Sequence, residues 1–235
     1  MLYIVPTPIG NLQDVTLRAL EVLKSVDIVL CEDTRRTQVL LSYFAISKPT
    51  ARYNENDLRS ISRCVELLKG GKTAALVSDC GTPCISDPGW RLVKEAVSAG
   101  IKVSSLPGPS AVACALAGAG ITGGAFTFLG FLPRKPGKAA KLIANAYALS
   151  VPVVLYESPY RVIKMLGLIA KTLGEDTPMI VARELSKVYE EWLRGNVGEL
   201  IKTLQARAKV QGEFVLIIDR PANEPEEEDE PNPYF

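Results

Sequence analysis

Short apolar runs alternate with longer stretches of helical periodicity from one end of the chain to the other. Leu2–Val5, Asp27–Cys31, Thr50–Arg52, Thr73–Ser78 and Lys102–Leu106 predict strands in the first half. Phe126–Leu129, Val151–Tyr156, Met179–Ala182, Glu190–Arg194 and Glu213–Asp219 predict strands in the second. Apolar positions recur at helical spacing over Val15–Ser25, Asp57–Leu68, Gly89–Ala99, Pro109–Ala119, Ala139–Leu149, Tyr160–Leu173 and Val197–Lys209. Helix punctuation agrees: Asn196 precedes a helix with Glu199 three residues on, and Gly100 and Gly174 follow helices. Such alternation predicts an α/β fold with mainly parallel sheets.

Ten strands are many for one open sheet in 235 residues. The glycine-rich stretch from Gly118 to Gly124 is the natural joint. It predicts an N-terminal α/β domain over 1–118, a linker over 119–124 and a C-terminal α/β domain over 125–220. Residues 221–235 form an acidic tail with prolines and no apolar face, a composition that predicts disorder.

Composition narrows the chemistry. Hydrophobic residues make up 47% of the chain and charged residues 23%, ordinary globular usage. No apolar run reaches the length of a membrane span, and MLYIVPTPIG lacks the basic start of a signal peptide, so a cytoplasmic chain is expected. The five cysteines have no framework, and with no histidine a zinc site at Cys80 and Cys84 would need two further thiolates, so no metal is expected. The absence of histidine also excludes Ser-His-Asp and Cys-His catalysis. The net charge of +1 hides an asymmetry, because six of the 26 acids lie after Asn223, leaving 27 bases against 20 acids elsewhere. A basic body suits a polyanionic partner. Charge alone is equally compatible with a mildly basic surface and a solubilising tail.

Gly118, Gly120 and Gly123 spell a dinucleotide fingerprint but follow a helical pattern and lead into a strand, the reverse of what pyrophosphate binding needs. No phosphate-binding P-loop is present. More informative are four Pro/Gly-stiffened loops at predicted strand ends: Val5–Asn11, Ser78–Gly89, Leu106–Ala111 and Tyr156–Arg161. Strand ends face the ligand crevice in α/β sheets, and rigid loops there can hold a small ligand through backbone groups. Asp87, just before Pro88, is expected to cap the following helix.

These stretches, in order, resemble the tetrapyrrole-methylase family of class III methyltransferases, and within it the branch that 2'-O-methylates a cytidine of small-subunit ribosomal RNA. PTPIGNLQDVTLRAL (6–20), CEDTRRT (31–37), LVSDCGTPCISDPG (76–89), LPGPSA (106–111), FLGFLPRK (128–135), YESPYR (156–161), ARELSKVYEE (182–191) and GEFVLII (212–218) carry the likeness. It implies two α/β domains with S-adenosylmethionine in a cleft between them, and a homodimer. Cofactor contact is implied for Pro8, Ser78, Asp79, Gly81, Thr82, Ile85, Ser110, Ala111, Tyr156, Ala182, Gly212, Glu213 and Phe214, mostly through backbone. The chain departs from the pattern at Tyr160 and in Tyr53–Asn56, where histidine is expected, and at Cys80, where alanine is common.

Methyl transfer from a sulfonium to a ribose hydroxyl needs in-line positioning and removal of the hydroxyl proton. Glu184 or Lys187 is the expected base, while Arg35, Arg36, Arg134, Lys135, Lys138 and Arg161 are expected on RNA phosphates. An interdomain salt-bridge network is the bland alternative for the first set, and a solvated helix face for Arg134, Lys135 and Lys138. Two competing functions remain at this stage: a tetrapyrrole methyltransferase of the same fold, and a non-catalytic RNA-binding assembly factor.

Overall fold

The computed structural model describes residues 1–121 and 124–219. The predicted acidic tail and part of the predicted linker lie outside the described residues. The chain divides into two compact units, Met1–Cys114 and Ala115–Phe235.

The first unit carries β1 (Leu2–Val5), α1 (Leu17–Ser25), β2 (Ile28–Cys31), α2 (Thr34–Tyr43), β3 (Thr50–Arg52), α3 (Leu58–Lys69), β4 (Ala74–Val77), α4 (Trp90–Ser98) and β5 (Val103–Ser105). Its sheet has the order β3-β2-β4-β1-β5, and every pairing is parallel. Strand alternation sends side chains to two separate cores. Leu2, Ile4, Leu30 and Leu76 meet Ile61, Cys64 and Leu68 of α3 and Leu92 and Ala96 of α4. Val5, Val29, Cys31 and Val77 meet Ala19 and Leu23 of α1 and Leu41 of α2 on the opposite face. The result is a doubly wound sheet, and parallel pairing brings all five C-terminal strand ends to one edge.

α5 (Ala111–Ala119) spans the division between the units. The second unit continues with β6 (Thr127–Phe131), α6 (Pro136–Tyr147), β7 (Val153–Glu157), α7 (Val162–Leu173), β8 (Pro178–Arg183), β9 (Glu191–Asn196), α8 (Val197–Gln205) and β10 (Phe214–Ile218). Its order is β6-β7-β10-β8-β9. The expectation of mainly parallel pairing holds for the first sheet but not here, where only β6–β7 is parallel. The reversal begins at the short Glu184–Glu190 loop, which returns β9 antiparallel to β8, and β10, reached through α8, runs antiparallel to both β7 and β8. Ile143, Leu166, Ile169, Leu200 and Leu204 from α6, α7 and α8 pack on Leu155, Val181 and Leu216 of the sheet.

Asn196 and Glu199 form the expected capping box at the start of α8. Gly118, the first glycine of the discounted fingerprint, has a packing role instead. A Cβ there would lie 2.6 Å from the Trp192 ring, and Arg194, stacked on that ring at 5.1 Å, donates to the Gly118 carbonyl at 2.7 Å. One helix, α2, is absent from the periodic segments read above. Among the described residues no helix is long and apolar enough to cross a membrane.

Candidate active site

Three of the strand-end loops of the first unit are laced together by hydrogen bonds. Thr7 and Gly81 exchange backbone bonds at 2.9 and 3.0 Å, joining the β1 and β4 loops. The buried Thr7 hydroxyl donates to the Ser78 carbonyl at 3.1 Å, and the Ser78 hydroxyl to the Gly81 carbonyl at 2.8 Å. Thr82 reaches the β5 loop through its Oγ1, which donates to the Pro109 carbonyl at 2.9 Å. Gly81 sits at φ +83°, where an L side chain is strained. The predicted Ser78, Asp79, Gly81 and Thr82 are therefore brought beside the Pro8 loop and the Pro109–Ser110 turn. Ile85 stays exposed although apolar. Thr7 was not singled out in the sequence; only its buried hydroxyl reveals it as the tie between loops.

Asp87 does not cap α4, contrary to expectation. The helix starts at Gly89 with φ +139°, without a local side-chain cap, and the Gly89 N–H instead donates to the carboxylate of Glu55. Pro88 and the Gly89 turn leave Asp87 outside the first helical turn. There, burial and the neighbouring Glu32 and Asp79 carboxylates push its pKa up to about 6. Asp79 Oδ1 is buried with no hydrogen-bond partner, and Asp79 Oδ2 lies 3.6 Å from Arg36 Nε. This corner concentrates negative charge with an unanswered acceptor, a setting that fits a cationic ligand. Among the described residues no three metal-ligating side chains converge to hold a metal ion.

In the second unit, β6, β7 and β8 run in one direction, so their C-terminal ends and the start of β10 share an edge. Tyr156, Val215 and Ala182 lie in one cross-strand row, on the face opposite the helical core. The structure thus brings the predicted Tyr156 and Ala182 onto one surface. Phe214 is buried in the core, so only its backbone could face a ligand.

At the same edge, Glu184 Oε1 accepts from Lys187 Nζ at 2.9 Å and from the Glu213 N–H at 2.8 Å. Lys187 Nζ also donates to Glu213 Oε2 at 3.0 Å. A Cβ on Gly212, at φ +99°, would lie 2.6 Å from Glu184 Cγ, so only glycine leaves room for this arrangement. Burial raises the Glu184 pKa, but the Lys187 ammonium and the Glu213 N–H outweigh it and hold the carboxyl below its usual range. Burial draws Lys187 down, yet Glu184 and Glu213 carry its pKa above the ordinary lysine value. At neutral pH the pair is carboxylate and ammonium, so Glu184 has the lone pairs to accept a proton and Lys187 has none.

The predicted phosphate-binding cations separate into two kinds. Arg35 is paired with Asp33 at 2.7 Å, Arg36 with Asp79, and Arg161 with the buried Glu157 at 3.4 Å. Arg134, Lys135 and Lys138 are exposed, and among the described residues none of them makes an ion pair.

The sequence profile of the tetrapyrrole (corrin/porphyrin) methylases matches residues 1–201. A ribosomal RNA small subunit methyltransferase I from Hydrogenobaculum sp. (strain Y04AAS1) is 42% identical over 222 residues, covering 93% of this chain and 95% of that protein. A ribosomal RNA small subunit methyltransferase I from Thermotoga maritima is 44% identical over 218 residues, covering 92% and 97%. Among solved structures, the cobalamin biosynthetic enzyme cobalt precorrin-4 methyltransferase superposes with a TM-score of 0.66 at 20% identity, covering 92% of this chain and 93% of its own. That last likeness speaks for the fold alone.

Proposed function

Because the chain belongs to the tetrapyrrole (corrin/porphyrin) methylase family, we propose that it is a methyltransferase that uses S-adenosylmethionine to methylate the ribose 2'-hydroxyl of a cytidine in small-subunit ribosomal RNA. The observation that carries this reading is identity above 40% to the two small-subunit RNA methyltransferases over more than 90% of the chain. A fold shared with a precorrin methyltransferase does not choose between substrates. The protein works in the cytoplasm as a homodimer on this reading.

The residues present fit the donor. A sulfonium with an α-ammonium is cationic, and the corner of Asp79, Asp87 and Glu32 offers carboxylates, one with an unpartnered buried oxygen. Backbone groups of the laced Pro8, Gly81–Thr82 and Ser110–Ala111 loops would hold the donor. Tyr156, Ala182 and the Gly212–Phe214 turn are assigned to the donor by the family resemblance alone. When bound, S-adenosylmethionine supplies an electrophilic methyl group. Glu184 takes the proton of the ribose hydroxyl, and Lys187 holds its carboxylate ionised and oriented. Positioning accounts for much of the remaining acceleration.

The test is transfer of labelled methyl to small ribosomal subunits that lack the modification, run beside porphyrin precursors as acceptors. Label in RNA alone supports the reading. Label in the tetrapyrrole alone transfers the chain to the other branch of its family.

A further inference from the structure

The edge of the second sheet holds a set of side chains that neither donor binding nor proton removal uses. Phe131 at the end of β6 is 57% exposed, Tyr160 after β7 is 90% exposed, and Tyr189 in the β8–β9 loop is 72% exposed. A phenylalanine is usually buried and tyrosines are usually half-buried, so three such rings this exposed at neighbouring strand ends form a distinct surface. Their exposure is built rather than incidental. A bulge between Phe128 and Gly130 shifts the register of β6 against β7, and bulges at sheet edges re-aim the side chains that follow. Phe131 emerges past it, braced edge-on against Tyr156 at 5.6 Å. Arg161 ties the next loop down by donating to the Leu132 carbonyl at 3.2 Å while paired with Glu157, leaving Tyr160 at the tip of a fixed turn. The β8–β9 loop is held with equal firmness. Glu190 accepts from the Ser186 N–H at 2.7 Å and from Trp192 Nε1 at 2.9 Å, and Tyr189 is still presented to solvent.

The cations beside these rings are placed against their own stability. Lys135 is the N-cap of α6 and Lys138 stands in its first turn, which carries no acid and no side-chain cap bond. The helix dipole favours anions at that end, so a lysine pair there opposes the dipole unless an external anion answers both. Arg134 precedes them, and among the described residues all three lack the ion-pair partners that Arg35, Arg36 and Arg161 possess.

Solvent-facing rings in a row with exposed cations at its β6 end are what unpaired nucleotides require: bases stack on aromatic faces and phosphates meet Arg and Lys. A protein partner would favour a contiguous apolar patch, whereas these rings stand on three separate strand ends. We propose that Phe131, Tyr160 and Tyr189, with Arg134, Lys135 and Lys138, form a stacking platform for a single-stranded segment of the RNA substrate. The platform rests on the assignment of RNA as substrate. Strands lie about 4.8 Å apart, so β6 and β8, three intervals apart, spread the rings over roughly 14 Å.

The experiment uses the full chain, a labelled unpaired RNA oligonucleotide, the same oligonucleotide annealed into a duplex, and methyl transfer to small ribosomal subunits. Circular dichroism and thermal unfolding report that each variant is folded. F131A, Y160A and Y189A should each weaken single-strand binding about 5- to 150-fold, the range for loss of one stacked base, with duplex binding little changed. Y160F should bind as wild type does, since it keeps the ring. Neutralising Arg134, Lys135 and Lys138 together should flatten the slope of log affinity against log salt by about 2. Variants that bind single strands as tightly as wild type, or that only break a dimer, would overturn the platform. If wild type still methylates RNA in that case, the substrate assignment survives. If wild type neither binds nor methylates RNA, the substrate assignment falls and the platform with it.

Discussion

The two sheets meet similar problems at their strand ends and solve them differently. In the first unit the loops turn on themselves: Thr7, Ser78, Gly81 and Thr82 satisfy one another, and Arg35 and Arg36 are matched by Asp33 and Asp79. What remains unsatisfied there is negative, Asp79 and Asp87. In the second unit the internal pairing is equally thorough around Glu184, Lys187 and Glu213, but what remains outside is aromatic and positive. One edge is suited to a small cation and the other to a polyanion with bases. The contrast shows that net charge, +1 over the whole chain, conceals the chemistry, because function follows the charges left over after internal pairing.

The largest effect is expected at the carboxylate of the second edge. Glu184→Gln should lower methyl transfer about 10²- to 10⁴-fold, the usual worth of a general base, with donor affinity measured by calorimetry unchanged. Unimpaired turnover would reduce Glu184 to a structural tie for the Gly212 turn. Next is Gly89→Val in the first edge. Its Cβ would lie 2.7 Å from Leu76 Cδ2 and 2.8 Å from Cys84 Sγ, at a φ that L residues rarely adopt. A loss of about 2–5 kcal/mol in denaturant unfolding, together with lost donor binding, is expected.

Strands such as β1, β4, β7 and β10 were legible as apolar runs bounded by Pro or Asp, and the Pro/Gly loops mark the edge of the first sheet. Pairing direction in the second sheet was not legible. β10 is buried on both faces, so Phe214–Ile218 carries the same continuous apolar pattern as a central parallel strand. α2 escaped because its apolar residues Val39, Leu40 and Leu41 are contiguous and Val39 faces solvent, which blurs the helical period. In the site, loop positions were readable but partners were not. Nothing in the spacing of Glu55 and Gly89 announces a cap, and nothing distinguishes Arg161, bound to Glu157, from the uncommitted Arg134.

Asp87 offers a test through pH. Its folded pKa, about 6, is raised above the usual aspartate value, so the native state binds the proton more tightly than the unfolded chain. Its contribution to the ligand-free protein is therefore most favourable below about pH 4 and is lost as pH rises from about 4 to about 6. Asp87→Asn should raise ligand-free stability at pH 7.5 by about 1 kcal/mol, discounted for partial exposure, and flatten its pH dependence over that window. Donor affinity should move oppositely, weakening in wild type as the carboxyl protonates below about pH 6 and weakening in the variant at all pH. A variant that binds the donor normally would remove Asp87 from the cationic site. The smallest effect is expected at the helix that packs behind the second edge. Asn196→Ala removes the cap of α8 and should cost about 1 kcal/mol in thermal unfolding, leaving transfer intact.

Methyl transfer to a ribose oxygen of small-subunit RNA can be read out by alkaline hydrolysis of RNA labelled by the purified protein from methyl-labelled S-adenosylmethionine. A 2'-O-methyl group removes the hydroxyl that alkali needs, so label should be recovered in an alkali-resistant dinucleotide whose 5' residue is cytidine. Label released as ordinary mononucleotides would place the methyl on a base, and absence of label from RNA, with the donor bound, would contradict the account.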